Sequence, residues 1–174
     1  MVFCGEDISD LPVFERISNG IGYTFQITSI FVNLTVYENV ALAIRKDNSN
    51  GEENSVSEVL SKVGLLDRIE QRSGDLSYGH QRLLELAMGM AQKPKLLILD
   101  EPTQGLSDSE IENFKKLIKD ISSSTTILLI EHNMDVVMSI ADNISVLHFG
   151  EIIADGDKET IQNDPIVQKA YLGD

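Results

Sequence analysis

The sequence is poor in positive charge: 14 Lys and Arg stand against 28 Asp and Glu, a formal net charge of −14. Such a field repels nucleic-acid phosphates and argues against non-specific DNA or RNA binding. It leaves room for a nucleotide, which backbone N–H groups and a metal hold locally. Cysteine occurs once, at Cys4, so no internal disulfide forms and a reducing compartment is implied. No apolar run approaches the roughly 18 residues of a membrane helix. Glu6, Asp7 and Asp10 stand where a signal peptide requires a basic start and an apolar stretch. The expectation is a cytosolic protein whose membrane link comes through a partner. Internal repeats and low-complexity tracts are also missing.

The 174 residues suffice for one domain with a sizeable core, burying about 70% of the unfolded surface. Ile21 to Phe25 has strand composition. Thr35 to Arg45 reads as helix, with Val36, Val40 and Ala43 at helical spacing, and Asp47 to Asn54 as a polar loop around Gly51. Ser55 to Glu58 reads as a capping box, and Val56, Val59, Leu60 and Val63 form one stripe that stops at Gly64. Ser77 caps a further helix with Leu83, Leu84, Ala87, Met90 and Ala91 inward, and Pro94 ends it.

The second half alternates strand and helix. Leu96 to Leu99 is an unbroken apolar run, predicting a parallel strand covered on both faces. Ser107 to Glu110 opens a helix with Ile111, Phe114, Ile118 and Ile121 inward, and Thr125 to Ile130 is a second buried strand. Met134 to Ala141 reads as a short helix, Gly150 as the turn of a hairpin, and Lys158 to Leu172 as two short helices broken at Pro165. The alternation argues an α/β fold with a mostly parallel sheet.

Ligands of open α/β sheets sit beyond the carboxyl ends of the strands. Gln26, Asp100, Glu101 and His132 fall at such ends on three strands. Asp100 suits Mg²⁺, which prefers oxygen ligands and keeps several waters. Glu101 suits a base that orients and deprotonates water. His132 suits a contact to a terminal phosphate, and Gln26 a contact to metal and water. Phosphoryl transfer needs such positioning and charge neutralisation more than covalent help. Each residue alone has a plain alternative. An Asp-Glu pair after a strand is often a solvated turn, a His there a helix-entry residue, and Ser77-Tyr78-Gly79 an ordinary cap. His148 is read as structural. Their order as a set carries the argument.

Taken together, the motifs resemble those of ABC transporter ATP-binding subunits along nearly the whole chain. Phe3 to Pro12 is similar to the segment before the Q-loop, Gly20 to Gln26 to the Q-loop, and Leu34 to Val40 to the start of the helical subdomain. Leu76 to His80 resembles the signature, Leu96 to Glu101 Walker B, and Ile130-Glu131-His132 the H-loop. Gly150 to Gly156 and the ending from Asn163 to Gly173 are similar to the branched-chain amino-acid branch, which also serves amides and urea.

The resemblance implies a P-loop NTPase-like core over 1–33 and 93–174, with a helical signature subdomain over 34–92. It implies ATP and Mg²⁺, a head-to-tail pair with a second ATP-binding subunit, and a membrane permease gripped by the helical subdomain at the inner face of the plasma membrane. Ser77, Gly79 and His80 would meet the γ-phosphate held by the opposite subunit. Asp100 and Gln26 would serve the metal, Glu101 would be the general base and His132 the phosphate sensor.

Departures from the family pattern also stand out. His80 replaces the Gln expected after Gly79, Ser107 takes the D-loop Asp position with Asp108 beside it, and Arg82-Leu83-Leu84 is less basic than usual. No G-x-x-x-x-G-K-S/T phosphate loop occurs. The expectation is therefore a fragment with little ATPase activity alone, and a sheet with an unpaired edge. Two other readings remain: an inactive regulatory or permease-docking module, favoured by the missing loop, and a non-transport member acting on nucleic acid, disfavoured by the charge.

Overall fold

The computed structural model describes residues 1–24, 29–44 and 52–172; side chains are not described for 52–54, 171 and 172. The chain divides into two compact units, Met1–Ile130 and Glu131–Asp174.

The first unit is built on a three-stranded parallel sheet. Strand β3 (Ile21–Thr24) pairs with β4 (Leu96–Asp100), which pairs with β5 (Thr126–Ile130). A two-stranded ribbon, β1 (Val2–Phe3) with β2 (Glu6–Asp7), and helix α1 (Val13–Ser18) precede it. Among the described residues between β3 and β4 lie the α-helices α2 (Val36–Ala43), α3 (Glu52–Lys62) and α4 (Tyr78–Ala91). Their facing stripes make one core: Val36 and Val40 meet Val56, Leu60 and Val63, and these meet Leu84, Ala87 and Ala91. Buried Asn39 ties this core together. It accepts from Phe31 N at 2.8 Å and donates to Thr35 O at 2.9 Å and Ser73 Oγ at 2.7 Å. Thr35 closes the start of α2 with a reciprocal bond to Glu38.

The structure corrects the sequence reading at two places. Helix α3 already runs from Glu52, so Glu52 to Asn54 are not loop, the rest of that predicted loop, 47–51, lies outside the described residues, and Ser55 to Glu58 is not the helix cap; those four residues lie inside the helix. The predicted stripe survives, because a 3.6-residue period is independent of where the helix begins. The second correction concerns the sheet. In β4 only Leu97 and Leu99 are fully buried, with Leu96, Ile98 and Asp100 half-buried between them. In β5, Leu128 is 49% and Ile130 46% exposed. One face packs on helices: Leu97 lies against Gly89 of α4. The other face, with Tyr23, Leu128 and Ile130, is open.

Helix α5 (Asp108–Ser122) returns the chain to β5, burying Phe114, Ile118 and Ile121, while Ile111 is half-buried. In the second unit, α6 (Met134–Ile140) is followed by an antiparallel hairpin of β6 (Ile144–His148) and β7 (Glu151–Gly156), turning at Phe149-Gly150. Helices α7 (Lys158–Asn163) and α8 (Pro165–Leu172) close a small core of Ile144, Ile161 and Val167.

Candidate functional site

Asp100 is the last residue of the central strand, and Glu101 follows it in a left-handed backbone conformation, φ +46°. A non-glycine residue there is strained, and such strain persists only where surrounding contacts impose it. The constraint is visible: Glu101 N donates to Ile130 O at 2.9 Å, extending the β4–β5 ladder one step past the strand. The Asp-Glu pair thus stands at the carboxyl edge of the sheet, where the sequence places it.

Tyr23, not foreseen as a site residue, donates its hydroxyl to Asp100 Oδ2 at 3.0 Å. That bond raises the tyrosine's ionisation above its ordinary value, with burial and the Asp100 charge adding to the effect. Strand alternation places Tyr23 on the same sheet face as Ile98 and Asp100, but the pairing spans 77 residues and local sequence carries no sign of it. Gln26 lies outside the described residues. Among those described, no three His, Cys, Asp or Glu side chains gather as a metal cluster. Asp100 nonetheless fits Mg²⁺, which takes one or two carboxylates and completes its shell with water and substrate phosphates.

The Ser77–His80 turn belongs to the N-terminus of α4. Ser77 Oγ accepts from His80 N at 3.3 Å and bonds His80 Nδ1 at 2.8 Å. The first-turn N–H groups of this 14-residue helix are the kind that receive phosphate oxygens. Gly79 is buried, and a Cβ there would collide with Glu110 Oε1. Glu110 takes the backbone N–H and hydroxyl of Ser107 at 2.8 and 2.7 Å. These bonds, backbone first, hold its carboxyl below the ordinary 4.5, aided by His80. Sequence identified Glu110 as a capping residue; its position against the Ser77–His80 turn becomes visible only in the fold.

The structure therefore brings Ser77, Gly79 and His80 together at one helix start, and Asp100 and Glu101 together at one strand end. His132 belongs to the second unit, two residues after β5 in sequence. Its N–H and that of Asn133 donate to Glu131 Oε2, and Asn133 caps α6 by accepting from Asp135 N and Val136 N.

Comparison with known proteins agrees with this construction. The ABC transporter family profile matches residues 1–104, and the branched-chain amino acid ATP-binding cassette transporter profile matches 151–174. The chain is 38% identical to the high-affinity branched-chain amino acid transport ATP-binding protein BraF of Pseudomonas aeruginosa, covering 98% of this chain and 74% of that one. It is 36% identical to the lipopolysaccharide export system ATP-binding protein LptB of Haemophilus influenzae, over 100% and 74%. It is 34% identical to LivG of Escherichia coli K12, a further branched-chain amino acid transport ATP-binding protein, over 97% and 74%. Among solved structures, MJ1267, an ATP-binding cassette of an ABC transporter, superposes with a TM-score of 0.86 at 26% identity, covering 98% of this chain and 76% of that one. The cbiO1 subunit of Clostridium perfringens gives 0.83 at 25%, over 99% and 71%. The chain belongs to the ABC transporter ATP-binding family, in the branch marked by the branched-chain amino-acid C-terminal segment.

Proposed function

We propose that the protein is an ATP-hydrolysing subunit of an uptake transporter for branched-chain amino acids, amides or urea. The carrying observation is the Asp100-Glu101 pair at the carboxyl edge of the central parallel strand, with Glu101 held in a strained backbone conformation. Glu101 orients and deprotonates the attacking water. Asp100 and Gln26 would hold Mg²⁺, which would supply charge neutralisation on the transferring phosphate. His132 meets the γ-phosphate. Ser77, Gly79 and His80 present hydroxyl, N–H groups and helix start to the phosphate carried by a second ATP-binding subunit in a head-to-tail pair. The helical segment 34–92 docks on a membrane permease at the inner face of the plasma membrane, against a core formed by 1–33 and 93–174. No described helix is long and apolar enough to cross a membrane.

The sequence contains no G-x-x-x-x-G-K-S/T motif, and this chain by itself is expected neither to bind ATP tightly nor to hydrolyse it. Losing even one charge-stabilising donor costs about 2.7–4 kcal/mol in a transition state. The test compares a labelled ATP analogue and ATPase activity on two proteins: the purified chain, and the chain joined to a segment carrying that motif. The reading expects binding and hydrolysis only in the second. There Glu101→Gln lowers kcat by about 10²–10⁴-fold with binding kept. Single-turnover hydrolysis by the purified chain would contradict it. A joined protein that binds permease but never hydrolyses ATP would favour the second reading, an inactive docking module. Which permease is captured decides the solute, since the similar LptB is the ATP-binding protein of a lipopolysaccharide export system.

A further inference from the structure

Arg82 and Glu85 are the least solvated ion pair among the described residues. Arg82 Nη1 lies 3.0 Å from Glu85 Oε2, with side-chain exposures of 7% and 8%. Both belong to α4, one turn apart, yet they reach opposite ways. Glu85 Oε1 accepts from Ser29 N at 3.1 Å, where the described chain resumes after residue 24. Arg82 Nε donates to the hydroxyl of Tyr78 at 3.1 Å, and its guanidinium carbon lies 5.3 Å from the Tyr78 ring centre. Tyr78 is the second residue of the Ser77–His80 turn, and its ring fills the space beside Gly105, where a Cβ would come within 2.9 Å of ring carbon Cε1. Thr24, Leu86, Leu99, Pro102 and Phe114 line the small space beside the pair. A chain of contacts therefore runs Ser29, Glu85, Arg82, Tyr78, Gly105.

Stability alone does not explain such a pair. Removing two charges from water is costly, and well-packed apolar replacements of both partners are often neutral or stabilising. What the charges add is direction: the Arg82 fork and the Glu85 carboxylate accept few geometries.

We propose that Arg82 and Glu85 are positioning residues that couple the segment at Ser29 to the Ser77–His80 turn, so the two shift together when that turn engages phosphate. The inference rests on the reading of that turn as a phosphate contact.

The test is a cycle of amide exchange on the full chain, without nucleotide, followed at Ser29 by NMR. Tyr78→Phe removes one hydroxyl that does not touch Ser29. In the native background it is expected to speed Ser29 exchange by about threefold or more, as coupled neighbours do. In the Arg82→Met/Glu85→Leu background the effect of Tyr78→Phe is expected to vanish. A pair that only holds the core together would leave Ser29 blind to the distant hydroxyl. No response to Tyr78→Phe, or the same response with and without the pair, overturns the proposal. Should the apolar double variant fail to fold, Glu85→Gln replaces it. That variant keeps an acceptor for Ser29 but not the charge for Arg82, and a Tyr78→Phe effect of undiminished size there overturns the proposal equally. Because nucleotide is absent, this outcome is separate from any failure of the ATPase reading.

Discussion

At the residue scale, the departures from local pattern are made by groups that meet across long sequence separations. Glu110 sits against Gly79 and takes both Ser107 donors. Its carboxyl is lowered from 4.5, so its bonds contribute stability that is complete above pH 4.5 and lost as pH falls through the lowered folded value. The melting-temperature difference between the native chain and Glu110→Gln is expected to be constant above that pH and to shrink below it. A difference that grows on acidification would reverse the assignment. The places of Asp100 and Glu101 at a strand end and of Ser77, Gly79 and His80 at a helix start were legible because the patterns are local: a strand followed by two acids, a cap followed by a helix. Tyr23, Arg82 and Glu85 were not legible as partners. Their bonds to Asp100, Tyr78 and Ser29 depend on how β3, β4 and α4 are brought together, which no window of sequence contains.

At the element scale, periodicity proved more informative than boundaries. The stripe Val56, Val59, Leu60, Val63 is buried as read, although α3 starts at Glu52, ahead of Ser55. Ser-x-x-Glu is a good start signal, but it occurs inside helices too, and the residues before it decide. Leu60 is fully buried between α2 and α4, so Leu60→Ala is expected to lower stability by about 3 kcal/mol. A fall in urea midpoint at unchanged slope reads this directly. The apolar runs of β4 and β5 were read as covered on both faces. Composition records that a residue is apolar, not whether a neighbour reaches it, and the Tyr23, Leu128, Ile130 side remains open.

At the scale of the whole molecule, that open face and the edge strand β5 set how the chain behaves in solution. The net charge of −14 opposes self-association, while an exposed apolar edge promotes it. Leu128→Lys is expected to change folding stability by no more than about 0.5 kcal/mol and to raise the concentration at which light scattering begins. An unchanged onset would mean that association proceeds through another surface. The parallel sheet and the helix-rich insertion were foreseen from strand–helix alternation. The separation into units 1–130 and 131–174 was not, because it reflects contact density rather than any composition shift at Ile130.

The Tyr23–Asp100 bond has an optical consequence. The chain contains four tyrosines and no tryptophan, so phenol fluorescence is not masked by indole. A phenol donating to a carboxylate emits weakly. On the proposed reading of Asp100 as the Mg²⁺ ligand, an ion that draws its carboxylate away would release the ring and raise the emission. A Mg²⁺ titration followed by tyrosine light is then expected to show that rise without any attached dye, Tyr23→Phe should silence it, and emission that Mg²⁺ leaves unchanged would count against Asp100 as the ligand.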